Sequence, residues 1–220
     1  MRKILVVEDD IDIQELLKIH LIEEGYQVSI AGDGNEGIKM FSSSTFDLIL
    51  LDLMLPKLDG YGVCKLIREQ SNVPIVILTA LDSEENQIKG LDLLADDYIT
   101  KPFSMAILKR KVANLFRRIG IEQVENETLN HGDLKLDLQG YKAFVHNIDC
   151  DLTPREFELL RELLHGKGRV FTRQNLLDSV WGYDYYGGDR IVDTHIKNLR
   201  KRLGIDIIKT IKGVGYRIDK

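Results

Sequence analysis

The 220-residue sequence predicts an α/β domain followed by an α+β domain. In the first half, apolar runs of strand length alternate with segments of helical periodicity, which is typical of a doubly wound parallel sheet with helices on both faces. In the second half, short alternating strands come first and amphipathic helices follow. We therefore expect one domain at residues 1–118, a linker at 119–128 and a second domain at 129–220.

Five strands and five helices are predicted in the first domain. The strands are short apolar runs at 4–9, 27–32, 47–52, 74–80 and 96–102. Apolar residues at helical spacing predict helices at 13–21, 35–41, 60–69, 83–94 and 104–118. This alternation predicts a five-stranded, flavodoxin-like parallel sheet, in which ligands bind beyond the carboxyl ends of the strands.

The second domain begins with turn-punctuated, alternating residues at 129–152, which predict three or four antiparallel strands. Thr153, Pro154 and Glu156 then form the pattern of a capped helix start, with Thr153 as the N-cap and Gly166 as the stop. The linker between the two domains is predicted because 119–128 has no strong periodicity.

Two further helices and a hairpin complete the second domain. The helices are predicted from Thr172 to about Trp181 and from about Asp189 to Gly204. Residues 205–219 predict two strands joined by a glycine turn.

Composition and charge limit the class of protein. The formal net charge is −5, yet residues 190–220 carry nine Lys or Arg against three Asp or Glu. A basic last segment in an acidic chain predicts local contact with a polyanion. No apolar run is long enough to cross a membrane. Cys64 and Cys150 lack metal-ligand spacing and fit a reducing cytosol, so we expect a cytoplasmic protein.

Polar residues follow the predicted strands of the first domain. Glu8 and Asp9 follow the first strand, Asp52 and Thr79 end the third and fourth, and Lys101 follows the fifth. In a flavodoxin-like sheet these strand ends converge. Grouped carboxylates need a cation, and hard oxygen ligands suit Mg²⁺. Metal and lysine would offset the charge of an incoming phosphoryl group, which predicts Asp52 as a carboxylate nucleophile and Thr79 as a hydrogen-bond donor to phosphate.

These residues lie in the segments VVEDD, LLDLMLPKLDG, ILTA and ADDYITKPF. The segments resemble the receiver domain of bacterial two-component response regulators, and the resemblance covers residues 2–118. It implies that Asp52 is the phospho-acceptor and that a histidine kinase is the donor. It also implies that Asp9, Asp52 and the backbone carbonyl of Met54 bind Mg²⁺, with Glu8 acting through water.

The same resemblance assigns roles near the fifth strand. Thr79 and Tyr98 resemble the family's switch pair, in which phosphate recruits Thr79 and Tyr98 turns into the vacated space. Lys101 resembles the phosphate-contacting lysine, and the Lys101–Pro102 peptide bond is expected to be cis.

The helix RIVDTHIKNLRKRL carries an apolar stripe of Val192, Ile196, Leu199 and Leu203. Its opposite face is basic and amide-rich, as in helices that read a major groove, although a solvated basic helix is an equal alternative for this helix alone. Together with TPREFELL and the hairpin KTIKGVGYRI, it forms a winged helix-turn-helix pattern. The candidate DNA contacts are Arg173, Arg190, Thr194, Lys197, Asn198, Arg200, Lys201, Lys212 and Arg217.

This pattern resembles the effector domain of the OmpR/PhoB family over residues 129–219. The resemblance implies sequence-specific promoter binding as a dimer on two tandem half-sites. It also places the loop WGYDYYGGD at the surface that faces RNA polymerase. His195, beside the apolar stripe, is expected to pack or to touch phosphate rather than to bind metal.

Charged pairs on the helix at 83–94, the strand at 96–102 and the helix at 104–118 form the dimer surface of the family. Asp96, Asp97 and Lys111 keep part of that pattern, whereas Gln87 and Ile107 replace a basic and an acidic partner. Exposed ion pairs contribute only about 0–1 kcal/mol each, so we still expect a homodimer, and its dependence on phosphate stays open. Leu94 also replaces a glycine that is common in the family.

The leading interpretation is a transcription factor switched by phosphorylation, with no enzymatic activity beyond its own phosphoryl transfer and dephosphorylation. A DNA-binding regulator with a vestigial receiver is the alternative, which the altered dimer surface keeps open. A phosphatase resembling the haloacid dehalogenases is disfavoured, because Met54 stands where that family needs a second acid.

Overall fold

The computed structural model describes residues 1–79, 95–119, 128–182, 185 and 188–220. The chain divides into two compact units, Met1–Arg117 and Arg118–Lys220. The linker predicted at 119–128 and the helix predicted at 83–94 lie almost wholly outside the described residues, as do Gln87 and Leu94. In the part of the chain that the structure describes, no helix is both long and apolar enough to cross a membrane.

The N-terminal unit contains the predicted five-stranded parallel sheet. Its strands are β1 (Lys3–Val7), β2 (Gln27–Ala31), β3 (Leu48–Asp52), β4 (Ile75–Thr79) and β5 (Asp97–Thr100). The strand order is β2-β1-β3-β4-β5, which confirms the flavodoxin-like, doubly wound fold. Every residue of β3 and β4 is buried, as expected for central strands that are covered on both faces.

Helices in this unit begin after aspartates that cap them. The described helices are α1 (Ile11–Glu23), α2 (Gly34–Ser43), α3 (Gly60–Arg68) and α4 (Met105–Ile119). The carboxylates of Asp10, Asp33 and Asp59 accept hydrogen bonds from backbone N–H groups in the first turns of α1, α2 and α3. The starts of α1, α2 and α3 are therefore set by these capping aspartates.

The register of the sheet brings the polar strand ends together. Val7 pairs with Leu51, so Glu8 follows β1 at the level of Asp52. Asp52 in turn pairs with Leu78, and Thr79 is the next residue of β4. Parallel pairing therefore delivers these side chains to one edge of the sheet, as the sequence predicts.

The C-terminal unit opens with a four-stranded antiparallel sheet. Its strands are β6 (Thr128–His131), β7 (Leu134–Asp137), β8 (Lys142–Val145) and β9 (Ile148–Asp149), paired in chain order. Three helices follow, α5 (Pro154–His165), α6 (Arg173–Val180) and α7 (Arg190–Leu203). The Thr153–Glu156 capping box before α5 and the end of that helix at Gly166 are as predicted.

A second small sheet packs in the same unit. It contains β10 (Phe171–Thr172), β11 (Ile208–Ile211) and β12 (Gly215–Ile218), in the order β10-β12-β11. The hairpin of β11 and β12 matches the prediction and is called the wing below. The two-residue strand β10 was not predicted, because only its pairing with Tyr216 and Gly215 makes it a strand.

The buried side of α7 contains the four predicted stripe residues together with Ile191 and His195. The ring of His195 is fully buried and lies 5.2 Å from the ring of Trp181, measured between centroids. These two side chains therefore belong to the core of the C-terminal unit.

Gly60 allows the loop after Asp52 to pack closely. A Cβ atom built on Gly60 would lie 2.1 Å from the backbone oxygen of Asp52. We expect Gly60→Ala to lower the free energy of unfolding by about 1–3 kcal/mol, because an overpacked core must shift its backbone. Calorimetric unfolding measures this change. Gly32→Ala is the matched control, since its Cβ would meet only ordinary contacts, and equal destabilisation by both variants would contradict the argument.

Candidate functional site

Three carboxylates meet at the carboxyl edge of the parallel sheet. One oxygen from each of Glu8, Asp9 and Asp52 can be chosen so that all lie within 4.8 Å of one another. Glu8 is 0% exposed and Asp52 is 4% exposed, whereas Asp9 is open to solvent. Hard oxygen ligands at this spacing, with one open side, fit a divalent cation such as Mg²⁺.

Lys101 provides the positive charge inside this cluster. Its Nζ atom donates to both carboxylate oxygens of Glu8, at 2.8 and 2.7 Å, and also to Oδ2 of Asp52. The peptide bond between Lys101 and Pro102 is cis, as expected. Lys101 therefore bridges two buried acids that come from separate strands.

Asp52 is held in one orientation by two donors. Its Oδ2 atom is bound by Lys101, and its Oδ1 atom accepts the backbone N–H of Met54 at 2.9 Å. Met54 is 61% exposed, and its backbone N–H is the group that contacts Asp52. In a carboxylate that is oriented in this way, one oxygen is suited to act as a nucleophile.

Burial and charge shift the pKa values of the cluster. Burial, followed by the negative charge of Asp52, raises the pKa of Glu8 to about 7, although the hydrogen bond from Lys101 opposes the rise. For Lys101, burial lowers the pKa, but the hydrogen bonds to Asp52 and Glu8 outweigh it and the net pKa is raised. Lys101 is therefore a cation at neutral pH, and Glu8 needs further positive charge to ionise fully.

The predicted switch residues flank this cluster. Thr79 is buried at the end of β4, and its carbonyl accepts the backbone N–H of Lys101 at 2.7 Å. Tyr98 is half-buried in β5 and packs against the apolar core of the unit. Both residues thus lie on the strands that border Lys101.

Gln14 is a site residue that the sequence did not reveal. Its Nε2 atom donates to the backbone oxygen of Glu8 at 2.6 Å, which ties α1 to the end of β1. A single glutamine on an amphipathic helix gives no signal for such a contact, since only the turn at Asp10 brings it back towards β1.

The three residues predicted for the dimer surface occupy different environments. Lys111 donates to Oδ1 of Asp97 at 2.7 Å, within the N-terminal unit. Asp96 is 0% exposed and binds Arg68 and the backbone N–H of Ile75, at 2.8 and 2.9 Å. The side chain of Asp96 is therefore bound inside the unit. This corrects the prediction that it lies at a dimer surface.

Four of the basic residues predicted to contact DNA are exposed on the C-terminal unit. Arg190, Lys197 and Lys201 are exposed on α7, and Lys212 is exposed at the tip of the wing. The unit thus presents four cations to solvent from the two elements that a winged helix uses to contact DNA.

The remaining DNA candidates are half-buried and already make contacts. Thr194 accepts from Asn198 through its backbone oxygen, and Arg217 forms an ion pair with Asp219. Arg173 and Arg200 are bound to residues of α7 and the wing, respectively.

The two units match two families. Residues 4–113 match the response regulator receiver domain, and residues 147–218 match the C-terminal domain of transcriptional regulatory proteins. The alkaline phosphatase synthesis transcriptional regulatory protein PhoP of Bacillus subtilis is 44% identical, over 100% of this chain and 97% of that protein. The structure of DrrB, an OmpR/PhoB homologue from Thermotoga maritima, covers 100% of both chains with 34% identity and a TM-score of 0.53. This chain belongs to the OmpR/PhoB family of response regulators.

Two other relatives match this response regulator along nearly its whole length. The regulatory protein VanRB of Enterococcus faecalis is 42% identical over 99% of the chain and 98% of that protein. The structure of a mutant of RitR covers 100% of both chains with 28% identity and a TM-score of 0.74. Both relatives thus align with the receiver domain and with the C-terminal domain of this chain.

The raised pKa of Glu8 predicts how the stability of the metal-free regulator depends on pH. The folded state binds this proton more tightly than the unfolded state, whose carboxyl has a pKa of 4.5. The stabilisation is full below pH about 4.5 and is lost as the pH rises to about 7. Thermal unfolding in the presence of a chelator should show a midpoint that falls across this window.

Glu8→Gln should flatten that fall, whereas the exposed control Glu15→Gln should keep the wild-type slope. An unchanged slope in Glu8→Gln would show that another group causes the pH dependence.

Proposed function

We propose that phosphorylation of Asp52 by a histidine kinase switches this transcriptional regulator into a dimer that binds promoter DNA. The observation that carries the proposal is the joining of Glu8, Asp9, Asp52 and Lys101 at one edge of the sheet. Three acids beside a single lysine would not by themselves stabilise the packing of the unit, because like charges that lie close together repel one another. The same arrangement is well suited to receiving a phosphoryl group.

The chemistry is a transfer of one phosphoryl group. An oxygen of the Asp52 carboxylate attacks phosphorus, the P–N bond of the kinase phosphohistidine breaks, and its electron pair returns to the imidazole nitrogen. The product is an acyl phosphate on Asp52. Lys101 already contacts Asp52, and its ammonium group would stabilise the added phosphate charge. Hydrolysis of the acyl phosphate at the same site would reset the switch.

Magnesium fits the donor set of this site. Asp9, Asp52 and the backbone carbonyl of Met54 would hold the ion, with Glu8 acting through water, as the family resemblance implies. When bound, Mg²⁺ offsets the negative charge of the phosphoryl group during transfer. The Lys101 cation holds Glu8 and Asp52 in place, so the acids are oriented for a ligand.

The switch would start at Thr79 and reach the surface through Tyr98. The Thr79 hydroxyl would donate to a phosphate oxygen on Asp52; the two residues lie at the ends of neighbouring strands, which supports this role. Movement of Thr79 would open space towards β5, where Tyr98 is half-buried. A change in Tyr98 would alter the surface that includes Asp97 and Lys111 and so favour dimerisation.

The surface of α1 supports a protein phosphodonor. Ile11, Ile19 and Ile22 are exposed and share one face of the helix, since they lie 8 and 11 residues apart from the first. The helix begins directly after Asp9 and Asp10, next to the acidic cluster. A kinase that packs against this apolar face would bring its phosphohistidine to the side of the sheet where Asp52 lies.

The C-terminal unit would bind the promoter with α7 in a major groove and the wing alongside it. Arg190, Lys197, Lys201 and Lys212 are the proposed direct contacts, because they are exposed on those two elements. As the family resemblance implies, we further propose that the dimer binds tandem half-sites and that RNA polymerase contacts the loop 181–189. The regulator would act in the cytoplasm. Residues 183–184 and 186–187 of that loop lie outside the described residues.

A regulator that binds DNA without phosphorylation is the second candidate. The exposed Ile107 and the internal pairing of Asp96 reduce the charged pattern expected of the dimer surface. Against it, the sequence has the full set of Glu8, Asp9, Asp52, Thr79 and Lys101, and the acids lie close to one another with Lys101 bound to two of them, which favours a working receiver.

Incubation with acetyl phosphate and Mg²⁺ should add one phosphoryl group to the wild-type chain. Asp52→Asn should abolish the addition, because the amide replaces the nucleophilic carboxylate. Intact mass spectrometry measures both. Asp133→Asn, which changes an exposed acid of the C-terminal unit, should still gain the phosphoryl mass. No gain in the wild type would favour the vestigial receiver, and a gain in Asp52→Asn would place the site elsewhere.

DNA affinity should fall steeply as salt rises, with a log–log slope of about −0.9 per neutralised phosphate. Lys201→Ala should reduce the magnitude of that slope by about 0.9 if Lys201 contacts one phosphate. Lys135→Ala, an exposed lysine in the four-stranded sheet, should leave the slope unchanged. Titration of a labelled duplex at several salt concentrations gives the slopes, and a flat wild-type response would reject the proposed interface.

A further inference from the structure

Asp193 is an acidic residue on the helix proposed to read DNA. It lies on α7 among Arg190, Lys197, Arg200 and Lys201, and its side chain is 41% exposed. A carboxylate beside DNA phosphates is repelled, so direct electrostatics alone predicts that this residue weakens binding. Its contacts indicate a different role.

One oxygen of Asp193 joins three elements of the C-terminal unit. Oδ1 accepts from Nε of Arg173, at 2.7 Å, and from the hydroxyl of Tyr216, at 2.5 Å. Arg173 is the first residue of α6, and Tyr216 lies in β12 of the wing. The carboxylate therefore links the helix before α7, the helix α7 itself and the wing through charge-assisted hydrogen bonds.

Arg200 extends this link to the other strand of the wing. Its Nη2 atom donates to the backbone oxygen of Ile208 at 2.7 Å and to Oγ1 of Thr210 at 2.8 Å, both in β11. The guanidinium carbons of Arg173 and Arg200 lie 5.3 and 5.6 Å from the centroid of the Tyr216 ring. Tyr216 is thus enclosed by cations from two helices while its hydroxyl is held by Asp193.

The state of Tyr216 suits this arrangement. Burial, followed by the hydrogen bond to Asp193 and its charge, raises the pKa of the phenol to about 12. The hydroxyl therefore keeps its proton at neutral pH and continues to donate to Asp193.

We propose that Asp193 is a positioning residue that sets the wing against α7 and so places Lys212 for DNA contact. The inference rests on the proposed DNA interface and adds an assignment within it. Arg173 and Arg200 then act mainly through Tyr216 and the wing, whereas the exposed lysines make the direct contacts. The geometry that Asp193 imposes then outweighs its repulsion of phosphate.

The two hypotheses for Asp193 predict opposite changes in DNA affinity. If its charge dominates, Asp193→Ala relieves repulsion and DNA affinity rises. If positioning dominates, the wing loses the link to α7 that runs through Tyr216 and keeps only the one through Arg200. DNA affinity then falls by about tenfold or more, as expected for the loss of charge-assisted hydrogen bonds.

The experiment measures the affinity of the full chain for the duplex that the wild type selects from a random-sequence library. The variants are Asp193→Ala, Lys212→Ala and the double variant, and Tyr216→Phe, which keeps the ring and removes the hydroxyl. Asp189→Ala is the control, because Asp189 is exposed at the start of α7, and its removal should leave affinity equal or higher. Thermal unfolding checks that each variant is folded.

Positioning predicts weaker binding by Asp193→Ala and by Tyr216→Phe. It also predicts that Lys212→Ala lowers affinity several-fold less in the Asp193→Ala background than in the wild type, since the wing is then held to α7 only through Arg200. Equal or tighter binding by Asp193→Ala, or additive effects of Asp193 and Lys212, would overturn the proposal.

If Asp193→Ala does not fold, Tyr216→Phe decides in the same way, alone and combined with Lys212→Ala. Failure of the wild type to select any duplex would instead reject the DNA interface itself, so the two failures are distinguishable.

Discussion

The bridge from Lys101 to Glu8 and Asp52 is the interaction on which the N-terminal unit depends. Two buried carboxylates from neighbouring strands carry like charge, and burial makes their ionised forms costly. A single ammonium group that binds both holds them at one edge of the sheet and orients Asp52 with the help of the Met54 N–H. The sheet register places the acids, and the caps of α1 and α3 fix the starts of the helices that follow them. Without this bridge, the acids would oppose the packing that brings them together.

The C-terminal unit uses a related arrangement with the charges reversed. In the N-terminal unit one cation joins two acids, whereas in the C-terminal unit one carboxylate, Asp193, joins Arg173 and Tyr216. In both units a charged group links elements that are distant in the sequence, and it lies beside a surface proposed to meet phosphate. The Arg173–Asp193 pair is partly exposed, and such pairs stabilise little, so its value lies in fixing geometry rather than in adding stability.

In both networks, the groups proposed to contact phosphate differ from the residues that hold those groups in position. Asp52 and the exposed lysines of α7 and the wing are the groups proposed to meet phosphorus or DNA. Gln14, Arg200 and Tyr216 act behind them by binding backbone or side chains of the same unit. The family to which the chain belongs explains the order of the two units, while the supporting contacts explain how each surface is held.

Sequence patterns were sufficient to predict the two fold classes, nearly all the described strands and helices, and the capping box at Thr153. They also predicted the convergence of Glu8, Asp9, Asp52 and Lys101. These features follow from local periodicity, turn chemistry and the rule that parallel strand ends share one edge. Tertiary structure alone decided that Asp96 is buried against Arg68, that β10 forms at all, and that Arg173 and Arg200 are engaged within the unit. A charged residue is predicted to be exposed when only the sequence pattern is considered. Only the folded chain shows which opposite charge or backbone group lies next to it.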